Sequence, residues 1–460
     1  MKNPNIIFIL IDDLGWRDLS YSGSDFYETP NIDALAKTGA VFTQAYSTSP
    51  VCSPARASFL TGKYPARLGL TNYIPGEERG ILLCPPYKKY IEESEYTLAR
   101  ALKDRGYKTC HIGKWHLGGA GCRPENHGFD VNFGGCEMGC PKSYFSPYNI
   151  PTLSDGPRGE YLTDRLTDEA IKYIDAANGE FFMYMSHYAV HTPLQAHEAD
   201  IEYFRAKAKK LRRDKINPFV EGENFPCEHL KHLKIMRRII QSDPVYAAMI
   251  YNLDANVGRL VDALKQKGIY EDTILVFTSD NGGDASSAGS PTCNAPLAEG
   301  KGYMYDGGIR EPLIVTYPKK IPHMHIDTPT INTDFYPTLL SLAGLGSEPS
   351  QHIDGTDITP LFFAGDGNGR ETKALEERAL FWHYPHYGNQ GGRPAAAMRQ
   401  NGYKLIKFFE DGKCELYDIK SDISESLDLF SQMPERAGAM LAELELWLAE
   451  TGAMIPKRAE

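Results

Sequence analysis

Short apolar runs rich in Ile, Val, Phe and Met recur along the chain at residues 6–11, 107–112, 181–186, 274–279 and 313–317. Each is short and bounded by polar or turn-forming residues, the pattern of strands buried on both faces of a sheet. Between two of these runs, Tyr246, Met249, Ile250, Leu253, Val257, Leu260, Val261 and Leu264 recur at helical spacing and form one apolar stripe. Strands separated by helices predict an α/β fold, a large and mostly parallel sheet sandwiched by helices. The pattern changes past residue 365. There "GDGNGRETKA" reads as a linker, and "RALFWHYP", "AAAMRQ", "YKLIKFF" and "CELYDI" read as antiparallel strands with turns such as "QNGY" and "EDGK". An amphipathic helix over Pro434–Glu450 covers one face of this small sheet. The expected division is a first domain at 1–365 and a C-terminal α+β unit at 366–460. Within the first, residues 197–243 form a strongly charged insertion, with "RAKAKKLRRDK" and "HLKHLKIMRR" both on helical patterns. It reads either as a solvated insertion or as a lid beside a site.

Composition narrows the class. The chain has 460 residues, 42% hydrophobic and 24% charged, as in an ordinary globular protein with a generous core. A net charge of −11 excludes nucleic acid as a bulk-attraction partner, so an anionic substrate has to be captured locally. "IIFILI" is too short to span a bilayer and lacks the flanks of a signal peptide. No membrane insertion is expected; the chain reads as cytoplasmic as numbered, or periplasmic or secreted if a signal peptide was removed. Nine cysteines form no disulfide framework, and Cys136 and Cys140 lack the second pair of ligands that a zinc site needs.

Polar residues directly past the strands carry the chemistry. Residues 6–11 lead to Asp12 and Asp13; 107–112 to Lys114 and His116; 181–186 to His187 and His191; 274–279 to Asp280 and Asn281. In open α/β sheets ligands bind beyond the carboxyl ends of the strands, so topology brings these groups to one place. Asp12, Asp13, Asp280 and Asn281 offer hard oxygen ligands, which suit calcium or magnesium better than zinc. Arg56, Lys63, Lys114 and Lys301 supply cations, and a metal ringed by cations describes a site for a tetrahedral oxyanion ester. In "SPVCSPARASFLTGKYP", Pro54 favours a first helical turn and Gly62 ends the helix, so Cys52 lies at a helix N-terminus. As a free thiol it reads as an activated nucleophile, awkwardly soft beside a hard-oxygen metal.

"CSPAR" matches the CxPxR signature of the type I sulfatases, and the chain resembles that family well beyond it. "NPNIIFILIDDLGWRDL", "TGKYPARLGL", "HIGKWHLG", "FTSDNGG" and "GKGYMYDGGIREPLIV" look like its ordered motifs, spanning residues 3 to 318. The resemblance implies an alkaline phosphatase-like fold, a formylglycine made from Cys52 by a dedicated maturase, and Ca²⁺ held by Asp12, Asp13, Asp280, Asn281 and the modified Cys52. In the family, one hydroxyl of the aldehyde hydrate attacks sulfur and the alcohol leaves; loss of a proton from the other then expels sulfate. Arg56 would stabilise the hydrate, Lys114 and Lys301 clamp sulfate, His116 act as base and His191 as acid, with His187 a weaker candidate. Lys63 would support the helix end. Glu311, in "GGIREP", stands where relatives commonly carry an apolar residue. "WHYPHYGNQGGRP" resembles a segment of bacterial carbohydrate sulfatases acting on 4-O-sulfated galactose or N-acetylgalactosamine. His383, His386 and Arg393 on this loop, together with Lys63, His187 and Arg310, are the candidate substrate-binding residues. A 6-O-sulfatase, a phosphate or phosphonate ester hydrolase of the same superfamily, and a non-catalytic sulfated-glycan receptor remain the alternatives.

Overall fold

The structure is a computed structural model that describes residues 3–287, 289–363 and 369–458. Its centre is a nine-stranded sheet. Strands β1 (Asn5–Ile11), β2 (Ala40–Tyr46), β3 (Lys108–Gly113), β4 (Val131–Phe133) and β5 (Phe181–Ser186) come from the first half of the chain. A separate hairpin, β6 (Phe219–Asn224) and β7 (Lys234–Arg238), precedes β8 (Thr273–Ser279), β9 (Arg310–Thr316), β10 (Met324–Ile326) and β11 (Thr330–Ile331). The order is β10-β2-β9-β8-β1-β5-β3-β4, with β11 also on β2. From β8 to β4 every pairing is parallel, and β9 runs antiparallel to both β8 and β2.

Side-chain alternation along β1 builds two cores. Ile7, Ile9 and Ile11 face one layer, with Leu166 and Ile174 of α2 (Leu162–Ala176), Phe204 of α3 (Glu198–Lys210), and Leu253 and Leu260 of α4 (Pro244–Gln266). Ile6, Phe8 and Leu10 face the other, with Phe59 and Leu60 of α1 (Cys52–Thr61). Helix α4 starts where the sequence says it should. Pro244 occupies the first turn, and the Asp243 carboxylate accepts from the amides of Val245 and Tyr246 at 2.9 and 3.1 Å.

The charged insertion is only half helical. Residues 198–210 form α3, but "HLKHLKIMRR" runs into strand β7, paired antiparallel with β6. Its Ile235 is fully buried beside Leu82, Phe225, Cys227 and Tyr387, a period-two burial that overrides the helical spacing. The boundary expected at 365/366 lies outside the described residues. The remainder of the expected linker forms α5 (Gly369–Glu377), which buries Leu375.

β12 (Leu380–Tyr384), β13 (Ala395–Gln400), β14 (Tyr403–Phe408) and β15 (Cys414–Asp418) form the antiparallel C-terminal sheet in sequence order, and α6 (Pro434–Glu450) covers it. Asn401 and Gly402, with φ of 50° and 83°, make the turn between β13 and β14. Buried polar contacts join this sheet to the rest of the chain, among them those of Trp382 and Lys404. Trp382 donates to the carbonyl of Ser47 at 2.6 Å, and the fully buried Lys404 ammonium lies 2.8 Å from both Asp306 and Glu425. Replacing Lys404 by alanine leaves Glu425 buried without its cation and Asp306 with Arg310 alone at 3.4 Å, so we expect Lys404→Ala to lower unfolding stability by about 3–5 kcal/mol in urea titration. A change below about 1 kcal/mol means that the triad does not hold the sheets together.

Candidate active site

The carboxyl ends of β1, β3, β5 and β8 converge as their order predicts. Asp12 and Asp13 follow β1; the Asp12 amide donates to Ala189 O at 3.0 Å and the Asp280 amide to Ile11 O at 3.1 Å, stitching three chain segments together. Lys114 follows β3 because Gly113 turns the chain at φ 93°. A Cβ there would stand 1.9 Å from the Ser186 carbonyl, so only glycine fits. Helix α1 opens at Cys52 and ends at Gly62 with φ 66°. All ten residues of α1 are buried, and the Gly302 amide donates to Pro50 O at 2.9 Å, fixing the Lys301 loop beside Cys52.

Three buried carboxylates meet three buried cations. Lys114 Nζ lies 2.9 and 2.7 Å from the two Asp12 oxygens. Arg56 donates twice to Asp280 Oδ2, at 2.9 and 2.6 Å, and also to Ser186 Oγ. Lys301 donates to Asp13 Oδ2 at 2.7 Å. Asn281 donates to Asp13 Oδ1 at 2.7 Å, leaving its own buried Oδ1 without a partner among the described residues. Oxygens of Asp12 and Asp13, the Cys52 sulfur and a His191 nitrogen lie within 4.8 Å of one another. Asp280 is outside that tightest group, its oxygens taken by Arg56 and by the Asp13 amide at 3.2 Å.

Electrostatics follow from dryness. Burial pushes Asp12 up to about 8 against the pull of Lys114. Asp13 meets the same burial, but Lys301, His191 and Lys114 overcome it and hold its carboxyl below the usual range. Burial pushes the Cys52 thiol up to about 11 despite Lys114 and Lys301. Burial thus outweighs the helix N-terminus and the two lysines at Cys52 and weighs against the activated-thiol reading.

Both candidate acid–base histidines are kept neutral. Burial, then Lys301, brings His191 down to about 3. Its Nδ1 sits 2.8 Å from Thr192 O, so Nε2 accepts from Lys301 Nζ at 3.1 Å. Burial and Lys114 likewise hold His116 well below its ordinary value. His116 Nε2 meets the carbonyl of Ile74, and its buried Nδ1 has no partner among the described residues. A Cβ at Gly139 would come within 2.7 Å of the His116 ring, so the glycine leaves room for it. Asp13 and His116 have φ of 60° and 57°, a left-handed strain of about 1–3 kcal/mol each, held at the site by surrounding bonds.

The other candidates are not gathered here. Lys63 lies beyond the far end of α1, with Nζ 2.7 Å from Glu95. Arg310 donates to Thr43 O and covers the Trp16 ring at 4.8 Å. His383 is on strand β12 rather than a loop, buried, with Nε2 3.1 Å from Met454 O. Arg393 stacks on Phe408 at 4.4 Å and pairs with Glu410. His386 bonds Thr71 Oγ1 at 2.8 Å. His187 is buried past β5, where burial brings it down to about 4. Sequence reasoning missed Ser186, readable as the last polar residue of its strand, and the Ile74 carbonyl, which carries no side-chain signal. Glu311, 2% exposed, has neither carboxylate oxygen paired among the described residues; burial, with Asp280 and Asp13, pushes it well above its ordinary value.

Comparison with known proteins agrees with this geometry. The family profile described as Sulfatase matches residues 4–345, and one described as N-sulphoglucosamine sulphohydrolase, C-terminal, matches residues 300–450. A sulfatase of Formosa agariphila is 32% identical, over 98% of this chain and 90% of its own. The dog N-acetylgalactosamine-6-sulfatase is 32% identical, over 83% of this chain and 68% of its own. The crystal structure of Ps i-CgsB in complex with k-i-k-neocarrahexaose superposes with a TM-score of 0.76 at 29% identity, covering 97% of this chain and 93% of that one. Ordered motifs, converging carboxylates and cations, and matches over nearly the whole length give one result: the chain belongs to the sulfatase family, hydrolases of sulfuric esters.

Proposed function

We propose that this sulfatase removes a sulfate monoester from a carbohydrate, with Cys52 in its formylglycine form and Ca²⁺ held by Asp12, Asp13, Asp280 and Asn281. The observation that carries the proposal is the ring of Arg56, Lys114 and Lys301 around buried carboxylates, with the Cys52 sulfur within 4.8 Å of Asp12 and Asp13 oxygens. The residues fit a hard divalent cation. Asn281 Oδ1 is buried and orphaned, and burial disfavours the charged form of Asp12, a cost that a bound cation would offset. When bound, calcium supplies Lewis acidity at the nucleophilic oxygen and on the sulfuryl group. Formylglycine supplies, as its hydrate, the hydroxyl nucleophile that a thiol held near 11 does not.

The chain's own groups divide the remaining work. Arg56 and Lys114 orient the reacting side chain and neutralise the sulfate oxygens from one side, Lys301 from the other. His191 Nε2 accepts from Lys301, so the Lys301–His191 pair holds the proton nearest the leaving alcohol. His116, whose Nδ1 is left without a partner among the described residues while Nε2 meets Ile74 O, serves as the base for sulfate release. The proposed substrate is a chain end carrying 4-O-sulfated galactose or N-acetylgalactosamine. A carbohydrate is supported by the hexaose complex of Ps i-CgsB, the 4-O position rests on the resemblance of residues 382–394, and the 6-O alternative rests on the name of the dog relative.

Protein co-produced with a formylglycine-generating maturase is expected to release sulfate from aryl sulfate faster than phosphate from the matched aryl phosphate. Cys52→Ala is expected to lower kcat by more than about 10³. Faster phosphate release favours the phosphate-ester alternative. A panel of 4-O- and 6-O-sulfated galactose, N-acetylgalactosamine and glucosamine then fixes the ring position. Calcium at about a hundred times its Kd is expected to stabilise the protein by about 2.7 kcal/mol, read as a rise in Tm that EDTA reverses. Asp13→Ala should abolish the rise; an unchanged rise in that variant places the ion elsewhere.

A further inference from the structure

The stretch "HMHID", residues 323–327, lies at the outer edge of the nine-stranded sheet. Strand β10 is bonded to β2, with Met324 beside Ala40 and His325 beside Val41. Successive side chains of an extended chain point to opposite faces, so Met324 and Ile326 pack on the core while His323 and His325 share the solvent face. Their rings stand 5.4 Å apart, centroid to centroid. A metal ion bound by one nitrogen of each imidazole at about 2.0–2.1 Å, in adjacent coordination positions, sets the two centroids about 5 Å apart. The pair thus already stands near the spacing that a shared ion requires.

One ring is also held in the tautomer that leaves a lone pair outward. His323 Nδ1 lies 3.2 Å from the carbonyl of Gly39, which can only accept, so in the neutral ring Nδ1 carries the proton and Nε2 the lone pair. A backbone carbonyl taking the second ring N–H is the usual companion of a metal-bound histidine. Nε2 of His323 and both nitrogens of His325 have no hydrogen-bond partner among the described residues. Asp327, next on the same face, is engaged with β2: its Oδ1 accepts from Thr43 Oγ1 and its carbonyl from Gln44 Nε2, both at 2.6 Å. That leaves two nitrogen ligands and open positions for water.

This edge is remote from the sulfate site. Ala40 and Val41 begin β2, which runs parallel to β8, whereas the sulfate site lies past the carboxyl ends of the parallel strands, roughly 15–20 Å further along the sheet. The donors differ as well. Oxygen ligands suit calcium, while a pair of imidazoles suits nickel, copper or zinc.

We propose that His323 and His325 form a binding site for a divalent transition-metal ion, with water completing its coordination. The site is separate from the ion at Asp13 and from sulfate-ester hydrolysis, and it does not depend on the function proposed above.

The test titrates Ni²⁺ into the whole chain by calorimetry, after EDTA treatment and dialysis into excess Ca²⁺. Nickel serves as the probe because it does not oxidise the free thiols as copper does. His323→Gln or His325→Gln is expected to weaken the tightest Ni²⁺ site by more than about tenfold, and the double variant to lose it. Saturating Ni²⁺ is expected to raise Tm of the parent chain and to leave Tm of the double variant unchanged. Both substitutions are at exposed positions, so the metal-free Tm and sulfate-ester turnover should stay as in the parent. His229 and His232, also exposed, make the control pair. Equal Ni²⁺ binding by the parent and the His323→Gln/His325→Gln chain overturns the site, as does a tight site lost instead in His229→Gln/His232→Gln.

Discussion

Charge neutralised in the absence of water is the constraint on which the rest of this structure depends. Asp12, Asp13 and Asp280 and their partners Arg56, Lys114 and Lys301 are all nearly inaccessible. Each ion taken out of water costs several kcal/mol unless its partner and hydrogen bonds are held in place. Backbone geometry around the site serves that end: the glycine at 113 lets β3 turn beneath β5, the Gly302 amide anchors the Lys301 loop to Pro50, and Asp13 accepts a left-handed conformation. With carboxylates and cations matched in number, the ring is neutral by itself. Adding a divalent cation leaves it net positive, as a sulfate ester requires.

The C-terminal sheet supports this ring from outside. Lys404 holds Asp306, five residues past Lys301, and Tyr384 holds Asn72, two residues before the carbonyl that meets His116. The small sheet thus braces both loops that flank Cys52.

Strand ends were the readable part of the sequence. Short apolar runs and the polar residues just past each of them put Asp12, Asp13, Lys114, Asp280 and Asn281 at strand ends, because a parallel sheet leaves few places for those ends to go. Direction was not readable. Lys63 and Arg310 are cations in the right motifs, yet one faces Glu95 and the other lies over Trp16, choices set by tertiary neighbours. Residues 229–238 failed for a different reason: Leu230, Leu233 and Met236 mimic helical spacing, while the burial of Ile235 in a cluster remote in sequence selects a strand. His383 reads as a loop ligand beside prolines and glycines, but it belongs to β12 and turns to Met454. Backbone partners such as Ile74 O leave no trace in side-chain patterns at all.

Cys52 opens α1, and burial argues against a thiolate there. The most direct measurement is the mass of the proteolytic peptide containing Cys52, from protein made alongside a formylglycine-generating enzyme. The account predicts a peptide carrying an aldehyde in place of the thiol. A peptide that keeps its thiol, under conditions in which the same maturase converts a control substrate, would contradict it.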